Sequence, residues 1–185
     1  MNNYLDLPDN LPVPQDDGAA NHLDGTKLIS VPLQATDNSL IDLSKMFGTT
    51  VVFIYPMSGL PGIDLPVGWD DIPGARGCTP QACSYRDKYP EVKKHVDNLF
   101  GLSVQGTGYQ RELKVRVTLP YEILSDSEFK FASALKLPTF EVNGLKLLKR
   151  LTLIIIDGVI VKHHYPVFPS NKDVDWVLNF FASNN

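Results

Sequence analysis

Two cysteines, Cys78 and Cys83, stand in the run Gly77-Cys78-Thr79-Pro80-Gln81-Ala82-Cys83. A sulfur does nucleophilic chemistry as the thiolate, and a thiolate is favoured where orphan N–H groups and the positive end of a helix dipole meet it. Thr79 suits an N-cap and Pro80 a first helical position, so the run predicts a helix opening just after Cys78. Thiols in such positions commonly ionise between roughly 3.5 and 7.5 rather than at about 8.5. Cys78 is therefore read as a reactive nucleophile.

Cys83 lies five residues further on, which in an intact helix is an axial rise of about 7.5 Å plus an offset around the cylinder. A disulfide wants Cα atoms about 4.4 to 6.8 Å apart. If the two sulfurs pair, the first turns of the helix must unwind. The alternative is that Cys83 is a small buried apolar residue on an inward helix face. Two rivals use the same residues. A disulfide oxidoreductase or redox chaperone would carry Cys-x-x-Cys, whereas the spacing here is Cys-x-x-x-x-Cys. A metal-binding module would recruit His163 and His164, but the spacing matches no zinc pattern and adjacent strand residues face opposite ways.

The elements that must position these groups follow from hydrophobic period and punctuation. Val51-Val52-Phe53-Ile54-Tyr55 is a continuous β-branched and aromatic run closed by Pro56, as expected of a central parallel strand buried on both faces. A strand is also expected over residues 28 to 34, and a strand end with a short helical turn over 39 to 47. Residues 57 to 76 hold repeated Pro and Gly breaks and form a long loop. After Cys78, the residues Tyr85, Tyr89, Val92, Val96 and Leu99 recur at helical spacing, with Pro90 expected to kink or restart the helix. Strands near 100 to 104 and 121 to 124 alternate with helices near 107 to 117 and 127 to 135. Asp157-Gly158 and Asn143-Gly144 mark hairpin turns, and a last helix from Ser170 carries Val174, Val177, Leu178 and Phe181 on one face. A βαβ half followed by a ββα half is the arrangement of the thioredoxin fold. The expected class is α/β: a central mixed β-sheet flanked by helices in a single domain.

Composition bounds the function. The 185 residues are 43% hydrophobic and 21% charged, a globular balance. Seventeen basic against 21 acidic residues give a net charge of −4, and their dispersal argues against nucleic acid as a partner. The start has no positive n-region or apolar h-region, and the apolar runs are too short to span a bilayer. The expectation is a cytoplasmic protein, without a membrane partner, in which one close cysteine pair is redox-active. Residues 1 to 26 are expected to be an N-terminal extension, and 27 to 185 the domain proper, with 57 to 76 inserted.

The stretch from Gly77 through Ser84-Tyr85-Arg86-Asp87 resembles the active-site helix of the peroxiredoxins, specifically the bacterioferritin-comigratory type with both cysteines in one helix. Ile54-Tyr55-Pro56 is similar to the family's strand and proline before that helix, and Arg150-Leu151-Thr152-Leu153 to its arginine-led strand. With Leu119-Pro120-Tyr121 and Ser125-Asp126, the likeness covers residues 51 to 160 or so. The resemblance implies a thiol peroxidase acting on hydrogen peroxide or organic hydroperoxides without metal or other cofactor. It implies Cys78 as the peroxidatic cysteine, Cys83 as the resolving one, Pro56 as a shield against water, and Arg150 as the cation that lowers the thiol's pKa and orients the peroxide. It further implies regeneration by a thioredoxin-like or glutathione-linked reductant, in a monomer or homodimer. Arg150 also reads as an ordinary strand-edge charge. The sequence departs from the family's Pro-x-x-x-Thr-x-x-Cys loop, since Ala75 stands three before Cys78. Ser58 is a candidate for the missing hydroxyl if the insertion loops out, its other reading being a plain turn serine. Thr79 is a second candidate, though also wanted as the cap. Arg76 and Arg86 lie near Cys78 in sequence and read equally as solvated charges. The insertion, with Trp69, is expected to cover the site, favour bulkier peroxides or form a dimer contact. A non-catalytic thioredoxin-fold binding domain remains the alternative that Ala75 raises.

Overall fold

The computed structural model describes residues 7 to 183; the first six residues of the expected extension and the last two of the chain lie outside it. Among the described residues, seven strands form one mixed sheet in the order β2-β1-β5-β4-β3-β8-β9. Its centre is β3 (Thr49–Ile54), with Val51 through Tyr55 wholly buried. Parallel pairing to β4 (Asn98–Ser103) and antiparallel pairing to β8 (Leu151–Ile156) account for why this run has no polar face. β5 (Glu122–Ser125) extends the parallel part, and β1 (Pro32–Ala35) and β2 (Leu40–Asp42) close that edge. β9 (Val159–His164) closes the other, returning from β8 through Asp157 and Gly158, both at positive φ. This is the mixed α/β sheet expected of a thioredoxin-like fold.

The helices cover both faces. α1 (Cys78–Asp87), α2 (Tyr89–Val92) and α5 (Asp173–Ser183) pack with Phe53, Tyr55, Tyr121 and Ile154 on one side. α4 (Lys130–Leu135) packs on the other with Leu33, Leu102 and Leu153. α3 (Thr107–Arg116) sends Leu113 into the first of these cores. The break between α1 and α2 falls at Lys88, with Pro90 in the first turn of the restarted helix, where its missing N–H costs nothing. The expected apolar period overruns the helix: Leu99 lies in β4, because α2 stops at Val92 and the next residues turn into the sheet. The final helix is preceded by a 3-10 turn at Ser170–Lys172 and starts at Asp173 rather than Ser170.

A separate two-stranded ribbon, β6 (Thr139–Val142) and β7 (Leu145–Leu148), turns through Asn143-Gly144 as its residues suggest. It packs against the 57 to 76 segment: Trp69 and Ala75 share a small cluster with Val142 and Leu147. The first strand is shorter and later than the 28 to 34 run suggests. Leu28 instead donates its N–H to Gly158 O beside a bridge between Lys27 and Val159. The stretch before residue 27 also enters the core, where Ala20 and Leu23 are fully buried.

The entry to α1 is where the backbone is most constrained. The N-cap is Gly77, not Thr79, with φ at 107°, a region that strains any residue bearing a Cβ. A Cβ there would also stand 2.1 Å from Ser170 Oγ and 2.8 Å from Leu7 Cδ2. Gly77→Ala is expected to lower stability by about 1–3 kcal/mol, read as a reduced midpoint in chemical denaturation at unchanged slope.

Candidate active site

Because Gly77 caps the helix, Cys78 is its first residue and Thr79 its second, so Thr79 is freed from the capping role expected of it. Cys78 is 5% exposed. Its sulfur sits between two groups: the thiol donates to Ala75 O at 3.6 Å, and Arg150 Nη2 donates to Sγ at 3.2 Å. Arg150 is not a surface charge at a strand edge. It is 3% exposed, and its Nε donates to Gly74 O at 3.2 Å and its Nη2 to Ala75 O at 2.9 Å and Arg76 O at 3.3 Å. Its Nη1 donates to Gln81 Oε1.

None of these described partners is a carboxylate. A buried guanidinium without a direct counter-ion is costly, and the polarisable atom it touches is the sulfur of Cys78. Negative charge developing on that sulfur is thus met by the guanidinium and by the N–H groups of α1's first turn. The arrangement can support nucleophilic attack by sulfur and the binding of an oxygen beside Arg150.

The wall around Cys78 comes largely from the inserted segment. Met57, Gly59, Leu65, Trp69 and Arg76 join Thr79 and Pro80 around a small pocket on the sulfur. Arg76 pairs with Asp70 at 3.1 Å within the insertion. Pro56 is buried at the end of β3 and lines a separate cleft of about 310 Å³ with Arg150, Ile72, Phe140 and Tyr165. Ser58 is not a hydroxyl for this pocket. Its Oγ donates to Gln105 Oε1 at 3.1 Å, Gln105 returns a bond to Ser58 O at 3.0 Å, and the side chain lies outside the lining at Cys78. Among the described residues that line this pocket, Thr79 is the one whose side chain carries a hydroxyl.

Cys83 lies on another side of α1, in a groove with Ser84, Arg86, Lys88 and Asn171. Both cysteines are free thiols in an unbroken helix. Arg86 turns away from Cys78, pairing with Asp87 and donating to Val117 O. The two histidines work separately: His163 pairs with Asp24, and His164 with Asp173.

Sequence reasoning passed over Gln81 and Asp173. Gln81 is fully buried, and beyond Arg150 it donates from Nε2 to Asp173 Oδ2 at 2.8 Å. Its place three residues after Cys78, one turn further on the same face, was the available signal.

A chain with this site and sheet is a thioredoxin-fold thiol protein, and it belongs to the Redoxin family, whose model matches residues 20–178. Within that family it is similar to proteins named peroxiredoxin Q and bacterioferritin comigratory protein. Peroxiredoxin Q, chloroplastic, of Oryza sativa subsp. japonica is 30% identical over 86% of this chain and 66% of its own length. The Suaeda salsa protein of the same name is 28% identical over 82% of this chain and 64% of its own. The chain thus spans slightly under two thirds of the length of these curated relatives. The crystal structure of peroxidoxin BcpB from Mycobacterium tuberculosis superposes with a TM-score of 0.70 at 21% identity, over 88% of this chain and 97% of the other. A Xanthomonas campestris peroxiredoxin Q superposes at 0.66 and 15% identity, over 95% and 99%. These structures share the fold.

Burial raises the Cys83 thiol above its ordinary 9.0, with Arg86 opposing the shift and Asp87 reinforcing it. In Cys78→Ser protein, alkylation of Cys83 is therefore expected to keep accelerating from neutral pH through 9.0, as the thiolate fraction grows with pH. Mass-spectrometric counting of adducts against pH checks this; a plateau below pH 8 would contradict the direction of the shift.

Proposed function

We propose that the protein is a thiol-dependent peroxidase in which Cys78 is the peroxidatic cysteine. The observation that carries the reading is the buried Arg150 Nη2 at 3.2 Å from Cys78 Sγ, a sulfur that also borders a small pocket lined by Met57, Leu65 and Trp69. The Cys78 thiolate attacks the distal oxygen of a hydroperoxide. The O–O bond breaks, sulfur becomes sulfenic acid, and the departing alkoxide takes a proton to leave as alcohol, or as water from hydrogen peroxide. Arg150 stabilises charge passing between sulfur and the peroxide oxygens, and the Thr79 hydroxyl is the candidate donor in place of the family threonine.

Apolar walls from Met57, Leu65 and Trp69 favour organic hydroperoxides alongside hydrogen peroxide. The bacterioferritin comigratory protein of Xanthomonas campestris is described in terms of alkyl peroxide reduction activity, which points the same way for this chain. Resolution falls to Cys83: its thiol condenses with the sulfenic acid, forming the S–S bond and releasing water. Since α1 is intact and the cysteines are five apart, that step requires the first turns of α1 to unwind. An external dithiol, thioredoxin-like or glutathione-linked, then reduces the disulfide.

Mass spectrometry after one equivalent of hydrogen peroxide tests the scheme. The expected product is an intramolecular Cys78–Cys83 disulfide, replaced by a trappable sulfenic acid in Cys83→Ser protein and absent in Cys78→Ser protein; two untouched thiols would refute peroxidase chemistry. Arg150→Met should slow peroxide consumption by about 10²–10³-fold, measured as the second-order rate constant with the fold checked by circular dichroism.

A further inference from the structure

Asp173 is the first residue of α5, fully buried, and it collects four hydrogen-bonding partners. Its Oδ2 accepts from Gln81 Nε2 at 2.8 Å, Tyr85 OH at 2.9 Å and Thr152 Oγ1 at 2.6 Å. Its Oδ1 meets His164 Nδ1 at 2.8 Å, and the His164 ring stacks on Trp176. Burial, followed by the charge of Asp173, pushes the Tyr85 phenol well above its usual range, so that hydroxyl remains a donor.

A buried amide has two unlike ends, and what it offers at one is decided by what it must satisfy at the other. Asp173 is acceptor-only as a carboxylate and takes the N–H of Gln81. That leaves Oε1 facing Arg150 Nη1. With the amide reversed, its NH₂ would oppose the guanidinium donor to donor. Gln81 thereby passes the negative charge of Asp173 to Arg150 across one neutral link. The Gln81 oxygen holds one arm, Nη1, and leaves Nη2 on Cys78.

We infer that Asp173 is a positioning residue for the reaction at Cys78: its carboxylate sets the orientation of the Gln81 amide, and so the aim of Arg150 at the sulfur. The inference builds on the peroxidase reading, and it assigns catalytic consequence to a residue on the last helix, 95 positions after the nucleophile.

The test uses the full chain with three variants: Gln81→Glu, Asp173→Asn, and both together. Two readouts are taken, the second-order rate with hydrogen peroxide and the rate of Cys78 alkylation by iodoacetamide in the Cys83→Ser background. Gln81→Glu sets two carboxylates against each other, and Asp173→Asn lets an amide face an amide with no fixed polarity. Each is expected to slow Cys78 about tenfold or more. In the double variant the amide and the carboxylate have exchanged positions. The amide now at position 173 donates to the carboxylate now at position 81, the Tyr85 and Thr152 hydroxyls turn to accept from it, as a hydroxyl can, and that carboxylate accepts from Arg150, which restores the order of donors and acceptors along the link. Its rates should exceed those of both single variants by about threefold or more.

Rates unchanged in a folded Asp173→Asn protein would overturn the inference, as would a double variant that is no faster than either single or that does not fold. If Asp173→Asn alone fails to fold, the recovery from Gln81→Glu to the double variant decides. The alkylation readout separates the two readings. A chain that consumes no peroxide yet shows the loss and rescue of Cys78 alkylation keeps the positioning role and loses the peroxidase. One that consumes peroxide equally fast in all forms does the reverse.

Discussion

The structure turns on one buried cation. The Arg150 guanidinium is satisfied by three consecutive carbonyls, Gly74, Ala75 and Arg76, by the amide of Gln81, and by the sulfur of Cys78. Each partner comes from a different constraint. The carbonyls belong to the end of the inserted segment, the amide and sulfur to α1, and the arginine itself to the approach to β8. A guanidinium has five donors in a rigid plane, so its partners cannot shift independently. Fixing the cation fixes where the insertion ends, how α1 is rotated, and which side of the sulfur remains open.

The insertion then acquires a physical role beyond its length. Trp69, 3% exposed, packs with Ala75, Val142 and Leu147, anchoring the loop on the β6–β7 ribbon rather than on the main sheet. Carbonyls presented by a free loop would be solvated and would lose to water as partners for a charged group; anchored, they are preorganised. Ala75 contributes its backbone oxygen to both Cys78 and Arg150, a part any residue at that position could play. The same segment brings Met57 and Leu65 over the sulfur, which is how a nucleophile at a helix mouth comes to be 5% exposed.

Much of this was legible in advance because it rests on local rules. The β3 run, the two positive-φ hairpin turns and the restart at Pro90 are consequences of side-chain period and backbone sterics, and they occur where the residues indicate. Cys78 and Arg150 were recognisable as a pair through family likeness, not through spacing. What escaped was set by tertiary contact. Thr79 looked like the cap because hydroxyls prefer that position, but the tight approach of Ser170 and Leu7 admits only a glycine at the helix entry, so the cap moves two residues earlier. Ser58 lies near Pro56 in sequence, yet its hydroxyl and backbone N–H both donate to Gln105 Oε1, and Gln105 Nε2 donates back to the Ser58 carbonyl. Asp173 was invisible because its donors come from α1, β8 and β9, and no sequence window contains them.

The reduced helix is held by contacts that helical hydrogen bonding alone does not require. Tyr121 OH donates to Ala82 O at 2.7 Å, Asp173 holds Gln81 and Tyr85, and Arg150 holds Gln81 from the opposite side. All six residues from Cys78 to Cys83 are buried. Any route by which the two sulfurs meet must unwind part of this helix against these contacts, because a helix carries residues five apart beyond bonding reach. The contacts that preorganise Cys78 are therefore the same ones that oppose its pairing with Cys83. The bonds to the Gln81 amide favour the intact helix over any unwound one, so in the proposed scheme their strength would set the balance between a sulfur well placed to react and a helix free to open afterwards.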